Sequence, residues 1–93
     1  MYDFQATLVK NDGQYTVYAE NVDGDVVGNP VAKVCCPGDH EPVSCRFELE
    51  RISDKTYAKA VPICDPVVFV RVLVRFDRSN GKQIWRERKA KVR

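Results

Sequence analysis

The chain contains a single histidine, His40, and none of the short motifs that build common active sites. It has no G-x-S-x-G nucleophile elbow, no phosphate-binding P-loop and no G-x-G-x-x-G dinucleotide fingerprint. His40 lies in the sequence Asp39-His40-Glu41, within a Pro/Gly-rich stretch that is typical of a solvated loop tip. No second histidine is available to activate a cysteine nucleophile. We therefore predict that the protein is not an enzyme and needs no cofactor.

Long apolar segments are absent as well. No run of about 18 apolar residues occurs, so we expect no membrane-spanning segment and no membrane association. No charged and apolar leader precedes Tyr2, which suits a mature secreted domain written without its signal peptide.

Helical spacing of apolar residues is missing, and apolar and polar residues alternate instead, as in half-buried β-strands. Gly, Asn and Asp interrupt this alternation about every ten residues, and Asn11-Asp12-Gly13 and Asn80-Gly81 are strong hairpin signals. The pattern predicts one all-β domain over residues 1–93, a small antiparallel β-sandwich or barrel of six to seven strands. The predicted strands cover residues 2–10, 14–20, 31–36, 43–51, 56–61, 67–76 and 82–87, with a short extension at 25–28.

The chain contains four cysteines that could stabilise so short a domain by cross-linking it: Cys35, Cys36, Cys45 and Cys64. A domain of this size buries only about 60–65 % of its unfolded surface, and cross-links compensate for a small core. We predict two structural disulfides and an oxidising compartment. Because a bond between neighbouring cysteines is strained, two pairings stay open. Either Cys36 pairs with Cys45 and Cys35 with Cys64, or the partners are exchanged.

A zinc site is the sharper alternative for the same residues. Cys35, Cys36 and His40 could bind zinc together with Cys45 or Cys64. The C-x2-C spacing that presents two thiolates to one ion is missing, however, so we predict no metal.

Positive charge is concentrated at the C-terminal end, although the net charge is only +2. Residues 86–93 contain five basic residues and one acidic residue, and residues 88–93 are predicted to form a basic tail. The candidate binding surface comprises Arg86, Arg88, Lys89, Lys91 and Trp85. Such a surface could contact phosphates and stack on bases. A tail of this kind is more often solvated or a protected sheet edge, so a nucleic-acid partner is the less favoured reading.

The length, the order of hairpins and the cysteines, with Cys64 just before the long strand 67–76, resemble one family. It comprises the small secreted fungal effectors of the MAX (ToxB-like) type, which are disulfide-linked β-sandwiches. The resemblance implies a virulence-associated protein that is secreted, is delivered to a plant host and can enter its cells, lacks enzymatic activity and binds host proteins. Binding through an exposed sheet edge suits this mode, and residues 2–10 and 82–87 are the candidate edges.

We therefore expect a secreted, extracellular, monomeric domain that binds a protein and, by the resemblance, acts as an effector on host proteins. Two alternatives stay open. One is an intracellular β-domain with reduced thiols that binds nucleic acid or zinc, and the other is an extracellular protease inhibitor that presents the loop between Cys36 and Cys45.

The thiol state separates the secreted from the intracellular reading. We expect intact-mass measurement with alkylation, before and after reduction, to show two disulfides in protein from an oxidising expression host. Four free thiols in well-folded protein would contradict the secreted class.

Overall fold

The computed structural model describes residues 1–12, 14–36, 43–61 and 69–93, and these ranges are all-β, without a helix. The strands are β1 (Asp3–Asn11), β2 (Gln14–Asp23), β3 (Asp25–Val26), β4 (Val31–Cys36), β5 (Val43–Glu48), β6 (Glu50–Ser53), β7 (Thr56–Val61), β8 (Phe69–Asp77), β9 (Gln83–Lys89) and β10 (Lys91–Val92).

In the described ranges the strands form two sheets, and neither sheet closes into a barrel. The first sheet has the order β10-β1-β2-β7-β6. In the second sheet, β9 pairs with β8 along residues 71–77. Strands β3 and β4 also pair with β8, at residues 76–77 and 69–73, and therefore lie along its other edge. Strand β5 follows β4. Where the structure describes the strands, all pairs are antiparallel except the parallel pair of β1 with β10.

Among the described residues, three runs of chain cross from one sheet to the other. Each crossing run consists of two strands, one in each sheet, joined by a single residue. Gly24 separates β2 from β3, Leu49 separates β5 from β6, and Ala90 separates β9 from β10. At two of these bends the freed amide is satisfied elsewhere, since Leu49 N–H donates to the Pro30 carbonyl and Ala90 N–H to the Val70 carbonyl. Bends of this kind form the corners of packed sheets. The predicted count of six to seven strands is therefore wrong, because each crossing run contributes a strand to both sheets.

Each of the three described tight turns contains a residue with positive φ. Asp12 has φ 50° between β1 and β2, and Lys55 has φ 64° between β6 and β7. Between β8 and β9, Gly81 has φ 80° and its N–H donates to the Arg78 carbonyl. Both hairpins predicted from Asn-Asp-Gly and Asn-Gly are confirmed. Asn21 also has positive φ, 53°, and stands at an extra residue in β2 where the pairing with β1 shifts.

The inward faces of the two sheets share one apolar core. Most of the buried side chains come from every second position of the strands, as the alternation predicted. The exceptions are Val22, which follows the extra residue in β2, and Leu49, which lies between β5 and β6. The buried set is Phe4, Ala6, Leu8, Val17, Ala19, Val22, Ala32, Val34, Leu49, Val61, Val70, Val72, Val74 and Phe76. Strand β8, within the predicted strand 67–76, is paired on both edges and is therefore a central strand of the second sheet.

Of the two segments predicted to be sheet edges, one borders its sheet and the other is partly covered by a neighbouring strand. Among the described residues, β9 pairs with β8 alone and therefore borders the second sheet, as expected for residues 82–87. Strand β1 instead lies between β2 and β10, so residues 2–10 are not a free edge at Thr7 and Leu8. The basic segment 88–93 provides the end of β9 and then β10, and Arg93 N–H donates to the Leu8 carbonyl.

The bend at Gly24 gives a stability test. A Cβ at Gly24 would lie 2.9 Å from Phe76 Cδ1 and 3.0 Å from Tyr2 Cδ1, and the backbone φ is +136°. We expect Gly24→Ala to lower the free energy of unfolding by about 2–4 kcal/mol, since it combines an overpacked corner with a strained backbone.

The matched control is Gly28→Ala, because Gly28 also has positive φ but a Cβ there would meet nothing within 4 Å. We expect this variant to lose about 1–2 kcal/mol. Urea unfolding followed by circular dichroism measures both, and equal losses would contradict the packing role of Gly24.

Candidate functional site

The outer face of the second sheet carries the most distinctive surface among the described residues. Alternate residues of a strand point to opposite faces, and residues directly opposite each other on paired strands share a face. Because Val70, Val72, Val74 and Phe76 of β8 are buried in the core, the intervening residues of β8 and their partners point outward. The outer face can therefore be mapped row by row from the strand register.

One row of this face consists of four basic residues, which we call the cationic row: Lys89, Arg71, Lys33 and Arg46. Arg71 lies opposite Lys89 of β9 on one side and opposite Lys33 of β4 on the other. Lys33 in turn lies opposite Arg46 of the outermost strand, β5. Arg71, Arg46 and Lys89 are exposed, and Lys33 is half-buried. Four like charges thus cross the whole sheet side by side.

The next row places apolar residues between two acids. Leu73 and Val31 lie opposite each other at its centre and are half-buried, and Glu87 and Glu48 lie at its ends. Glu87 Oε1 accepts a hydrogen bond from Arg71 Nη1 at 2.6 Å. Arg71 also lies over the Phe69 ring, 5.2 Å from its centroid.

The third row contains the most exposed aromatic residue described. Trp85 is 55 % exposed and lies opposite Arg75, whose guanidinium carbon is 5.2 Å from the ring centroid of Trp85. The Nε atom of Arg75 is buried and has no hydrogen-bond partner among the described residues. The pair forms a cation–π contact that holds a large apolar ring on the surface.

The far end of the same face is acidic. Asp25 of β3 lies directly opposite Asp77 of β8. Together with Asp23 they line an open depression of about 420 Å³ beside the β8–β9 turn. The face is therefore basic near one end and acidic at the other.

The structure divides the residues of the predicted binding surface among three places. Trp85 and Lys89 lie on the outer face of the second sheet, and Lys91 is exposed in β10 of the first sheet. Arg86 and Arg88 alternate with them and are half-buried against the start of β1. Arg86 Nε donates to the Tyr2 carbonyl at 3.1 Å, and Arg88 forms an ion pair with Asp3 at 2.6 Å.

Two carboxylates connect the C-terminal segment to β1 and β2. Hydrogen bonds from Arg93 and from the Thr7 hydroxyl lower the pKa of Glu20, the bond from Arg93 being the larger cause. The Phe4 backbone N–H, followed by Arg88, lowers the pKa of Asp3. Both carboxylates are therefore held in their charged form at neutral pH.

The cysteines are described only in part. Cys45 is exposed, although its register opposite the buried Val34 places it on the inward face, and it has no disulfide partner among the side chains that the structure describes. In the register of β4 with β5, Cys35 and Cys36 lie opposite Ser44 and Val43, and Cys45 lies opposite Val34. The side chains of Cys35 and Cys36, together with Cys64 and His40, lie outside the described residues, so the disulfides stay a prediction.

Lys33, Arg46, Arg71 and Arg75 were missed as a joint surface because they belong to three strands. Each is an outward position of an alternating strand, but only the register of β4 with β5 and β8 brings them together. The described residues contain no cluster of three or more His, Cys, Asp or Glu side chains that could hold a metal ion. Across those same ranges, no helix is long and apolar enough to cross a membrane.

No protein-family model, curated protein or solved structure matches the chain. The resemblance to MAX effectors therefore stays a prediction.

The lowered pKa of Glu20 leads to a pH-dependence test. Because the folded-state pKa lies below the unfolded value, Glu20 stabilises the fold above its ordinary value of 4.5. This contribution is lost as the pH falls through the lowered pKa. We expect Glu20→Gln to be less stable than the wild type at neutral pH, and the difference to shrink under acid conditions.

Thermal unfolding at a series of pH values measures this difference. Glu48→Gln is the control, since Glu48 is exposed and forms no ion pair with a described residue. A Glu20→Gln penalty that is the same in acid and at neutral pH would show that the carboxylate charge is not responsible.

Proposed function

We infer that the protein is a non-catalytic interaction domain that binds a protein partner through the outer face of its second sheet. The observation that carries this proposal is Trp85, which is 55 % exposed on a face of paired strands and held there by Arg75. Tryptophan and arginine are the residues most enriched at the energetic centres of protein interfaces.

The rigid strand that carries Trp85 favours a binding role for this side chain over chance exposure. Its strand pairs with β8 over seven positions, from Gln83 with Asp77 to Lys89 with Arg71, so the backbone beneath it is fixed. A residue placed on a rigid strand loses little freedom when a partner binds, which increases affinity. Leu73 and Val31 extend the apolar area in the neighbouring row.

The face is a better candidate than an edge for the same function. Strand β1 is paired on both sides at Thr7 and Leu8, which leaves less of it available to an added strand. Edge pairing at β9 would use backbone groups alone and would leave the position of Trp85 unexplained.

A secreted setting and an action on host proteins belong to the same proposal. They are supported by four cysteines in a chain of 93 residues and by the resemblance to MAX effectors in length and hairpin order. The two sheets that pack on one apolar core are compatible with the sandwich that the resemblance implies.

Site-specific photo-crosslinking tests the proposed face. We expect a benzophenone amino acid at position 85 to give discrete protein adducts in plant leaf extract, the host tissue that the resemblance implies. The same group at Tyr18, on the outer face of the first sheet, should not give them. Excess wild-type protein should suppress the adducts, and excess Trp85→Ala should not.

The protein identified in the adduct is then purified and titrated. We expect Trp85→Ala to weaken its binding about 30-fold or more, as for an interface centre, and Tyr18→Ala to change it less than about twofold. Equal adducts from both faces, or unchanged binding by Trp85→Ala, would refute the proposed surface.

A further inference from the structure

We propose that the partner contacts this face with a short segment of acidic and apolar residues, whose carboxylates bind the cationic row. The inference rests on the proposed function and adds the chemical class of the partner. Its apolar side chains would cover Leu73 and Val31 in the adjacent row, and Trp85 in the row beyond.

The cationic row is unfavourable to the isolated fold. Like charges directly opposite each other on paired strands are destabilising, and the row contains three such contacts in succession. Only Arg71 has an ion pair with another described residue, through Glu87. An arrangement that destabilises the domain but presents aligned charges is typical of a binding site.

The dimensions of the row fit a short segment. Neighbouring strands lie about 4.8 Å apart, so the four charges span about 14 Å. Side chains on one face of an extended segment repeat about every 6.6 Å, so two or three carboxylates can lie along the row. The bonds that result join opposite charges beside an apolar row, where they are less screened than on an open surface.

The surrounding charges argue against a long polyanion. Glu87 and Glu48 lie at both ends of the next row, and Asp25 and Asp77 close the acidic end of the face. Nucleic acid needs a continuous positive path for its phosphates, and on this side of the cationic row the path is interrupted by carboxylates. A segment with few charges and apolar neighbours avoids this repulsion.

A second copy of the chain is a poorer fit. In a twofold pairing that lays the cationic row of one copy on the acidic end of the other, four cations would meet the two aspartates Asp25 and Asp77. The charges would not balance. An external acidic segment has no such restriction.

The experiment uses a labelled peptide in which Glu alternates with Leu and Ser, a control peptide with Gln in place of Glu, and single-stranded oligothymidylate of matched charge. Fluorescence anisotropy at low and physiological salt measures binding to the wild type and to two double variants. The row variant combines Lys33→Gln with Arg46→Gln. The charge-matched control variant combines Lys10→Gln with Lys91→Gln. Both control residues are exposed in the first sheet.

We expect the Glu peptide to bind the wild type and the control variant alike, and the row variant about fivefold more weakly or worse. Binding should weaken with salt, and the Gln peptide and oligothymidylate should not compete. The row variant should also melt about 1–4 °C higher than the wild type at low salt, because relief of like-charge repulsion stabilises it. A variant that only damaged the fold would melt lower.

Three results would overturn the proposal. Tighter binding of oligothymidylate, lost in the row variant, would identify a nucleic-acid surface. Sedimentation of the wild type as a dimer that the row variant cannot form would identify a second copy as the occupant. Absence of binding to every probe, with Trp85-dependent adducts still present in extract, would reject the acidic segment and leave the interaction domain intact.

Discussion

The burial of alternate residues of β8 between the two sheets determines the rest of the molecule. Val70, Val72, Val74 and Phe76 have almost no accessible surface, and a shift of this strand by one residue would exchange them for Arg71, Leu73 and Arg75. The apolar core therefore holds the register of β8 against β4 and β9. The alignment of charges on the outer face is a consequence of that register, so the stability of the core and the geometry of the proposed binding surface depend on the same pairing.

Much of this architecture could be predicted from the sequence, because strand alternation and turn residues are local signals. The inward sets of β1 and β8 and both strong hairpins follow from them directly. The bends at Gly24, Leu49 and Ala90 could not be predicted, since each interrupts a run by one residue without a turn motif. The cationic row was also beyond local reasoning. Lys33 and Arg71 are 38 positions apart, and only non-local pairing makes them neighbours.

In the basic C-terminal segment, residues that are neighbours in sequence point to opposite faces of the sheet and make different contacts. Trp85 and Lys89 point away from the core and are free to meet a partner, whereas Arg86 and Arg88 point back and bind the beginning of β1. A prediction based on charge density treats all of these residues as one surface. The structure instead places alternate residues on the proposed binding face and against the start of β1, so the same segment contributes to both.

That connection also governs how the domain forms. The hydrogen bond from Arg86 to Tyr2 joins residues 84 positions apart, and β10 pairs with β1 across a similar separation. Contacts this distant in sequence require most of the chain to be ordered before they are made, so they slow folding relative to domains with local contacts. Until β10 reaches β1, the edge of β1 at Thr7 and Leu8 stays open to pairing with other chains. During folding, the pairing of β10 with β1 therefore competes with the association of this open edge with other protein chains.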